Sequence, residues 1–498
     1  MLFNLLTKEH VDVREIPQFA FDDLSLTYLF DMLTEYDYSD IMNTVMYITD
    51  VETIKYRQGI FSDCLNNNYF FDELKALLDT LIEKHEKFKK SNHSFYKQTN
   101  FLLFIKEYIN FINSVSELLI NVLLESEELI KFKDYILNLK SSTEFVTLVK
   151  DFNIAYSHYK NILRFSVSYD TKNLKVSSLE EKENLEDKLI SLANSLNINL
   201  SGSFRKVSRE KVSGPYLTSL VKLYNEDYNE VVNFYNNHKQ FNFEFGNLSY
   251  ELRFYIFFKK VFKNVSENNI PFSKSEFNNE GIIEFLDVYD VSLLDKTKEI
   301  IPNDVMMDKE NKIQFVSGVN SGGKTSYIRS IGLNYILFLQ VGYTFSKKSN
   351  LFVIKNLLTH FPIDENFKFG FGRLNDELAR LDKMSQDFNN ETLVILNETF
   401  SSTDEETALK HTKDLLTKVI NSKTYFIFVT HQQKIFREIK DPSISIMSPL
   451  IDVKSNNKRL YKIRKVTDKE SSYTYDILYK YGMTKEQLTK KLESKDEQ

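Results

Sequence analysis

The 498-residue chain carries a formal charge of −6, so it is no general polyanion binder, and any nucleic-acid contact has to come from a local basic patch. Hydrophobic content of 42% supports packed cores, and a single cysteine, Cys64, excludes an intramolecular disulfide framework and fits a reducing compartment. Two or three domains are expected at this length, and only 13 Gly and 7 Pro favour long helices with few tight turns.

The N-terminal stretch MLFNLLTKEHVDVREIPQF starts apolar but lacks a basic n-region, so it is not read as a signal peptide. No stretch is long and apolar enough to span a bilayer, so no membrane partner is expected and the cytoplasm is the natural location. From about Leu24 to Leu139, apolar residues recur at three- and four-residue spacing and predict helices, among them FDELKALLDTLIEKHEKF and one long run from Phe101 to Leu139. Leu179 to Leu196 predicts a charged helix suited to a projecting arm, with Asn197 to Gly214 as a strand or loop at its tip. Helices follow from Pro215 to about Lys239 and over LSYELRFYIFFKKVFKNV.

From about Phe272, short apolar strands (IIEFLDVYDVSLL, KIQFVSG, ETLVILNE, KTYFIFVTH) alternate with helices, which predicts an α/β sheet with a substantial parallel part. PLIDVKSNNKRLYKIRKV predicts a hairpin, followed by a closing helix.

The run Gly318 to Thr325, GVNSGGKT, fits the phosphate-cradling pattern G-x-x-x-x-G-K-[ST] between a predicted strand and a predicted helix. The glycines Gly318, Gly322 and Gly323 let backbone N–H groups converge on an anion at a helix N-terminus. The expected nucleotide-binding set is Gly318, Val319, Asn320, Ser321, Gly322, Gly323, Lys324, Thr325 and Ser326, with Lys324 reaching the β- and γ-phosphates and the Thr325 hydroxyl ligating Mg²⁺. The plainer reading, a glycine turn joining strand to helix, does not explain Lys-Thr at that offset.

LVILNE ends an apolar strand in polar residues, where P-loop ATPases place a metal partner and a water-activating base. Glu398 is the candidate base. Asn397 stands where Asp is usual; its amide oxygen can accept from a metal-bound water but brings no charge, so weak Mg²⁺ coordination or slow turnover is expected. His431, ending FVTH, is a candidate to contact a γ-phosphate or orient water, although a lone His is more often structural. Ser401, Ser402, Thr403 and Asp404 form either an ordinary helix cap or a loop facing a partner's nucleotide.

In order, GVNSGGKT, THFP, GRLNDELARL, LVILNETFSST and FVTH resemble the ATPase of the MutS family, a branch of the ABC-type ATPases, and SSYTYDILYKYGMTKEQL is similar to that family's closing segment. DVETIKYRQGIF, Asp50 to Phe61, is similar to the start of its helical core. The resemblance is collinear over about Leu252 to Leu488 and rests on helical pattern over residues 24–250. It implies a multi-domain α and α/β protein. Residues 1–250 would form a helical core or lever with an arm whose tip lies at about 175–215. Residues 251–498 would form an ABC-type P-loop ATPase with a mixed, largely parallel sheet, a hairpin and a closing helix.

The resemblance implies ATP and Mg²⁺ as cofactors and places the backbone of Asn303 near the adenine. It further implies a homodimer in which each nucleotide is sandwiched between one P-loop and the partner's signature segment, here Phe371 to Leu378. In that segment Gly372 stands where relatives carry Ser, followed by Arg373 and Asn375, and Glu377 matches the family's acidic position. Arg373 reads equally as a cationic finger or as a surface salt bridge to Asp376 or Glu377. The N-terminus carries no mismatch-wedging Phe-x-Glu motif and no Smr domain follows the ATPase, so a short member is expected, with mismatch recognition and nicking unsupported. What remains is an ATP-hydrolysing clamp on DNA or a nucleoprotein such as the ribosome; the alternative is a nucleotide-gated scaffold with little hydrolysis. Arg205, Lys206, Arg209 and Lys211 beside Phe204 are candidate phosphate contacts at the arm tip, although a solvated surface diluted by Glu210 is the commoner meaning of such a run.

Overall fold

The computed structural model describes residues 4–7, 13–33, 38–67, 69–162, 165–170, 173–178, 221–297, 299–362, 373–388, 391–400, 403–439, 441–452 and 458–466. In chain order the first elements are β1 (Arg14–Glu15), α1 (Gln18–Asp23), α2 (Thr27–Asp31), α3 (Ser39–Val45), β2 (Tyr47–Ile48), α4 (Val51–Asn66), α5 (Phe70–Lys89), α6 (Ser94–Ile120), α7 (Glu127–Ser141), α8 (Thr143–Ile162), β3 (Phe165–Asp170), β4 (Asn173–Ser178), α9 (Asn225–His238) and α10 (Leu248–Glu267). Then follow β5 (Ser273–Lys274), β6 (Glu276–Phe277), β7 (Ile283–Val288), β8 (Asn303–Met307), β9 (Ile313–Val316), α11 (Lys324–Val341), β10 (Tyr343–Thr344), β11 (Lys348–Leu351), β12 (Asn356–His360), α12 (Arg373–Ser385), β13 (Thr392–Asn397), α13 (Glu405–Ile420), β14 (Tyr425–Val429), α14 (Gln433–Glu438), β15 (Ile444–Asp452) and β16 (Lys458–Lys465).

The chain divides into two compact units: Met1–Asn4 with Asn66–Leu252, and Leu5–Leu65 with Arg253–Gln498. This departs from the expected domains at 1–250 and 251–498, because Leu5–Leu65 clusters with the C-terminal unit.

The first unit is helical, with a core rich in phenylalanine. The Phe104 ring lies 4.8 Å from His85, 5.8 Å from Phe241 and 5.5 Å from Phe243, mostly edge-on, the geometry aromatic quadrupoles favour. The run expected as one helix from Phe101 to Leu139 is broken after Ile120, and α7 begins with Glu127 and Glu128 in its first turn. Acidic residues belong at the positive end of a helix dipole, a signal that periodicity alone does not carry. β3 and β4 pair antiparallel as a hairpin the sequence reading did not anticipate. The expected arm helix, Leu179–Leu196, and the basic residues Arg205, Lys206, Arg209 and Lys211 lie outside the described residues.

In the second unit, a six-stranded sheet runs β12-β13-β14-β9-β15-β16, parallel from β12 to β15 and closed by the antiparallel β16. The apolar runs IQFV, TLVILN and YFIFV are buried at every position, as parallel strands covered on both faces require. A four-stranded sheet, β6-β11-β7-β8, belongs to the same unit. Helix α11 is buried on nearly every face: Tyr335 donates from its hydroxyl to Phe352 O at 2.8 Å, and Asn334 donates to Tyr289 O at 3.0 Å.

The N-terminal segment is joined to this core by buried polar bonds. Gln340 on α11 donates to Val45 O at 3.2 Å and to Tyr47 O at 3.0 Å. Gln58 on α4 donates to Ser275 O at 3.0 Å and to Gly342 O at 2.7 Å. Buried amides bonded to backbone carbonyls fix one arrangement, because any other leaves those groups unpaired. Among the described residues, no helix is long and apolar enough to cross a membrane.

Candidate functional site: a P-loop cavity at the strand ends

Register brings the sequence-distant candidates together. β14 pairs in parallel with β9 on one side, Val429 opposite Val316, and with β13 on the other, Val429 opposite Asn397. The segments leaving β9, β13 and β14 therefore emerge at one edge of the sheet, the carboxyl ends where α/β proteins place ligands. Those segments are the 318–325 loop, Glu398 and His431.

The loop is left-handed at Gly318 (φ +136°), Ser321 (φ +57°) and Gly323 (φ +90°), and α11 starts at Lys324. A Cβ at Gly318 would stand 2.8 Å from Pro449 Cδ and 2.9 Å from Ser448 Oγ, and one at Gly322 would stand 2.8 Å from Pro449 Cγ. β15 thus approaches so closely that only glycine fits at both positions. The Lys324 side chain is buried, and its ammonium donates to Gly318 O and Val319 O, each at 3.0 Å. Burial lowers its pKa, the nearby Glu398 raises it, and Arg459 lowers it. An ammonium so desolvated gains from any anion placed beside it.

Glu398 follows β13 with φ +49°, and Phe400 has φ +66°; strained non-glycine backbone of this kind concentrates at functional sites. The Glu398 amide donates to Val429 O at 2.9 Å, which fixes the turn. Its Oε1 lies 3.1 Å from His431 Nε2. That hydrogen bond is the main reason the Glu398 carboxyl is held below its ordinary range; burial opposes it, and the charges of His431 and Lys324 assist. Asn397 is buried, and its Oδ1 has no hydrogen-bond partner among the described residues; nor does the buried Thr399 Oγ1.

A cavity of about 490 Å³ opens here, within the size range of small-molecule and cofactor pockets. Asn320, Ser321, Gly323, Lys324, Thr325 and Ser326 line it, together with Asn303 and Glu398. Asn303 Oδ1 accepts from Ile463 N at 2.7 Å and its Nδ2 donates to Tyr461 O at 3.2 Å, so its side chain ties β8 to β16. β16 in turn covers the loop: Arg459 Nη1 donates to Ser321 O at 3.4 Å, and Tyr461, with φ +55°, lines the cavity. Sequence reasoning missed Tyr461, Arg459 and the lining residues Lys296, Thr297, Glu299, Ile300 and Ile301, because a hairpin's pattern does not say which loop it folds over.

The expected signature residues are only partly placed. Gly372 lies outside the described residues, and the side chains of Arg373 and Asn375, on the first turn of α12, are not described either. Glu377 is nearly buried, with Oε1 3.8 Å from His360 Nε2 at the end of β12. Further along α12, Arg380 Nη2 donates to Asp23 Oδ2 at 3.1 Å and to Thr359 O at 2.9 Å, and its guanidinium stacks on Phe19 at 3.9 Å. Thr359 Oγ1 donates to the same Asp23 oxygen at 2.6 Å. The motif GRLNDELARL contained Arg380, but its partner lies 357 positions away in sequence.

Residues 314–486 match the description of MutS domain V. A protein named DNA mismatch repair protein MutS from Finegoldia magna is 24% identical over 220 residues, 43% of this chain and 25% of that protein. One named DNA mismatch repair protein MSH3 from Saccharomyces cerevisiae is 28% identical over 166 residues, 33% of this chain and 15% of that protein. A MutS from Thermotoga maritima is 24% identical over 182 residues, 36% of this chain and 23% of that protein. The matched part therefore spans a quarter or less of these relatives. Over residues 314–486 the chain is thus similar to MutS domain V, and the relatives it resembles are named MutS and MSH3.

Proposed function

We propose that the chain binds ATP with Mg²⁺ in the P-loop cavity, hydrolyses it, and uses the nucleotide to close a homodimeric clamp on DNA. The observation that carries the reading is the convergence of the buried Lys324 ammonium, the Thr325 hydroxyl and the Glu398 carboxylate on one cavity of about 490 Å³. The residues fit the nucleotide. Gly318 and Gly322 let the loop pass close against β15, and Lys324 is a desolvated cation suited to an anion. They also fit a divalent cation: the unpartnered Asn397 Oδ1 is an acceptor suited to a metal-bound water, and Thr325 supplies a hydroxyl. The cation's chemistry would be to neutralise charge on the transferring phosphoryl group.

The chain's own residues supply the rest. Glu398, kept ionised by His431, orients and polarises the attacking water. His431, hydrogen-bonded to Glu398, would contact a γ-phosphate or orient water. Asn303 holds the β16 wall against which the base would lie. Gly372, Arg373, Asn375 and Glu377 would face the partner's nucleotide. DNA is preferred to the ribosome as the clamped client because the relatives are named DNA mismatch repair proteins. The cytoplasm remains the proposed location.

A nucleotide-gated scaffold with little turnover is the second reading, and Asn397, uncharged where Asp is usual, favours it. One experiment separates them. Lys324→Ala should weaken binding of a non-hydrolysable ATP analogue by about 100-fold, and Glu398→Gln should abolish single-turnover hydrolysis while leaving binding intact. A hydrolysis rate unchanged by Glu398→Gln removes the enzyme. Sedimentation of the analogue-bound chain as a monomer, or equal affinity for DNA with and without the analogue, removes the clamp.

A further inference from the structure

At the opposite end of the same sheet lies a second cavity of about 850 Å³, larger than the nucleotide cavity. Its wall includes Lys312, immediately before β9, Glu391 before β13 and Lys423 before β14. The P-loop leaves β9 at the other end, so the two cavities are separated by the length of a strand, roughly 15–20 Å at 3.3 Å per residue.

The cavity's charges do not cancel. Five cations line it, Arg14, Lys309, Lys312, Lys355 and Lys423, against the carboxylates of Asp50 and Glu391. Both carboxylates are engaged. Asp50 accepts from Thr53 N and Thr53 Oγ1, each at 2.9 Å, and Glu391 pairs with Lys355 at 3.6 Å. Lys312 is engaged too: its ammonium donates to Val419 O at 3.3 Å, Ile420 O at 2.9 Å and Ser422 O at 2.5 Å, capping α13. Arg14, Lys309 and Lys423 remain, with no hydrogen-bond or ion-pair partner for their charges among the described residues. Three uncompensated like charges around one concavity repel, and a bound anion relieves that repulsion.

The rest of the wall is mixed, with polar residues such as Thr49, Asn278, Asn279 and Ser422 beside apolar ones such as Ile48 and Val51. Phe352 and Ile354 are buried in the core and line the cavity. The lip at Gly281 (φ +81°) is held by Tyr425 Oη, which donates to Gly281 O at 2.5 Å, with the Lys309 stem packed beside it. A concave, partly apolar pocket with a cationic rim suits a compact ring-bearing anion better than the extended backbone of a nucleic acid. We propose that this cavity is a second ligand site, binding a small organic phosphate independently of the P-loop.

The test uses the full chain carrying Lys324→Ala, with 4-nitrophenyl phosphate titrated by calorimetry. One saturable site is expected there and in the wild type. Adding Arg14→Ala, Lys309→Ala and Lys423→Ala together should weaken it at least tenfold, while the same three substitutions in the wild type leave ATP-analogue binding unchanged. If the triple variant loses analogue binding and so reports misfolding, the single Lys423→Glu, on an exposed turn, makes the same comparison. Absence of saturable binding in Lys324→Ala overturns the proposal, as does an affinity indifferent to the cavity substitutions. Displacement of the probe by a short single-stranded oligonucleotide at lower concentration reassigns the surface to nucleic acid and also overturns it.

Discussion

Glu398 is where the chain's departures from a common ATPase pattern meet. Its neighbour Asn397 adds no charge, so its ionisation is set by His431 first and Lys324 last. A carboxyl whose folded pKa is depressed contributes stability above its unfolded pKa, and loses that contribution as pH falls through the folded value. The His431 contact therefore supports the fold at neutral pH and fades only in acid below the ordinary carboxylate range. His431→Ala removes the largest cause, so Glu398 should titrate at higher pH, as isotope-edited NMR would show with Glu398→Gln used for assignment. A titration left in place would mean that Lys324 or the turn, and not His431, sets the charge. The residues Lys324, Thr325, Glu398 and His431 were legible in the sequence because each sits at a fixed offset from an apolar strand. Tyr461 and Arg459 were not, since their place depends on how β16 folds over a loop more than a hundred residues earlier.

The helix carrying the signature motif, α12, is anchored through Arg380. Burial raises the pKa of Asp23, and the Thr359 hydrogen bond first, then the Arg380 guanidinium, favour its ionised form. Arg380→Ala removes one of the donors to a mostly buried carboxylate, leaves Thr359 O without the Arg380 donor, and strips the cation from Phe19. Discounted for the partial exposure of Arg380, the expected destabilisation is about 1–3 kcal/mol by urea unfolding, with part recovered by adding Asp23→Asn. A loss below about 0.5 kcal/mol would show that α12 is held by its apolar contacts alone. The strands β7, β9, β13 and β14 and the β15–β16 hairpin were predicted from apolar runs alternating with helices. The anchoring of α12 to α1 was hidden, because a salt bridge between distant segments leaves no local periodicity. The break between α6 and α7 was missed for the opposite reason: the apolar spacing continues across a point where only the Glu127–Glu128 pair marks a new helix start.

At the scale of the molecule, the second unit is not a contiguous stretch of chain. Residues 253–498 alone lack the partners of Gln340, Gly342 and Arg380, all of which lie within Leu5–Leu65. Expressed as a fragment, they should aggregate or unfold at lower denaturant than the intact chain, and residues 5–65 supplied in trans should restore solubility. A soluble fragment with an unchanged urea midpoint would show that these contacts do not stabilise the unit.

That discontinuity reaches into biosynthesis. Residues 5–65 leave the ribosome well before the groups they bond to, which lie as many as 284 and 357 positions later in the chain. The intervening helical unit is complete long before those groups emerge, so the 5–65 segment must wait, with its apolar faces uncovered, until they are made. The nascent chain is thus exposed to misassembly and to chaperone capture at residues 5–65, and the P-loop unit is finished only when that segment has met residues 253–498.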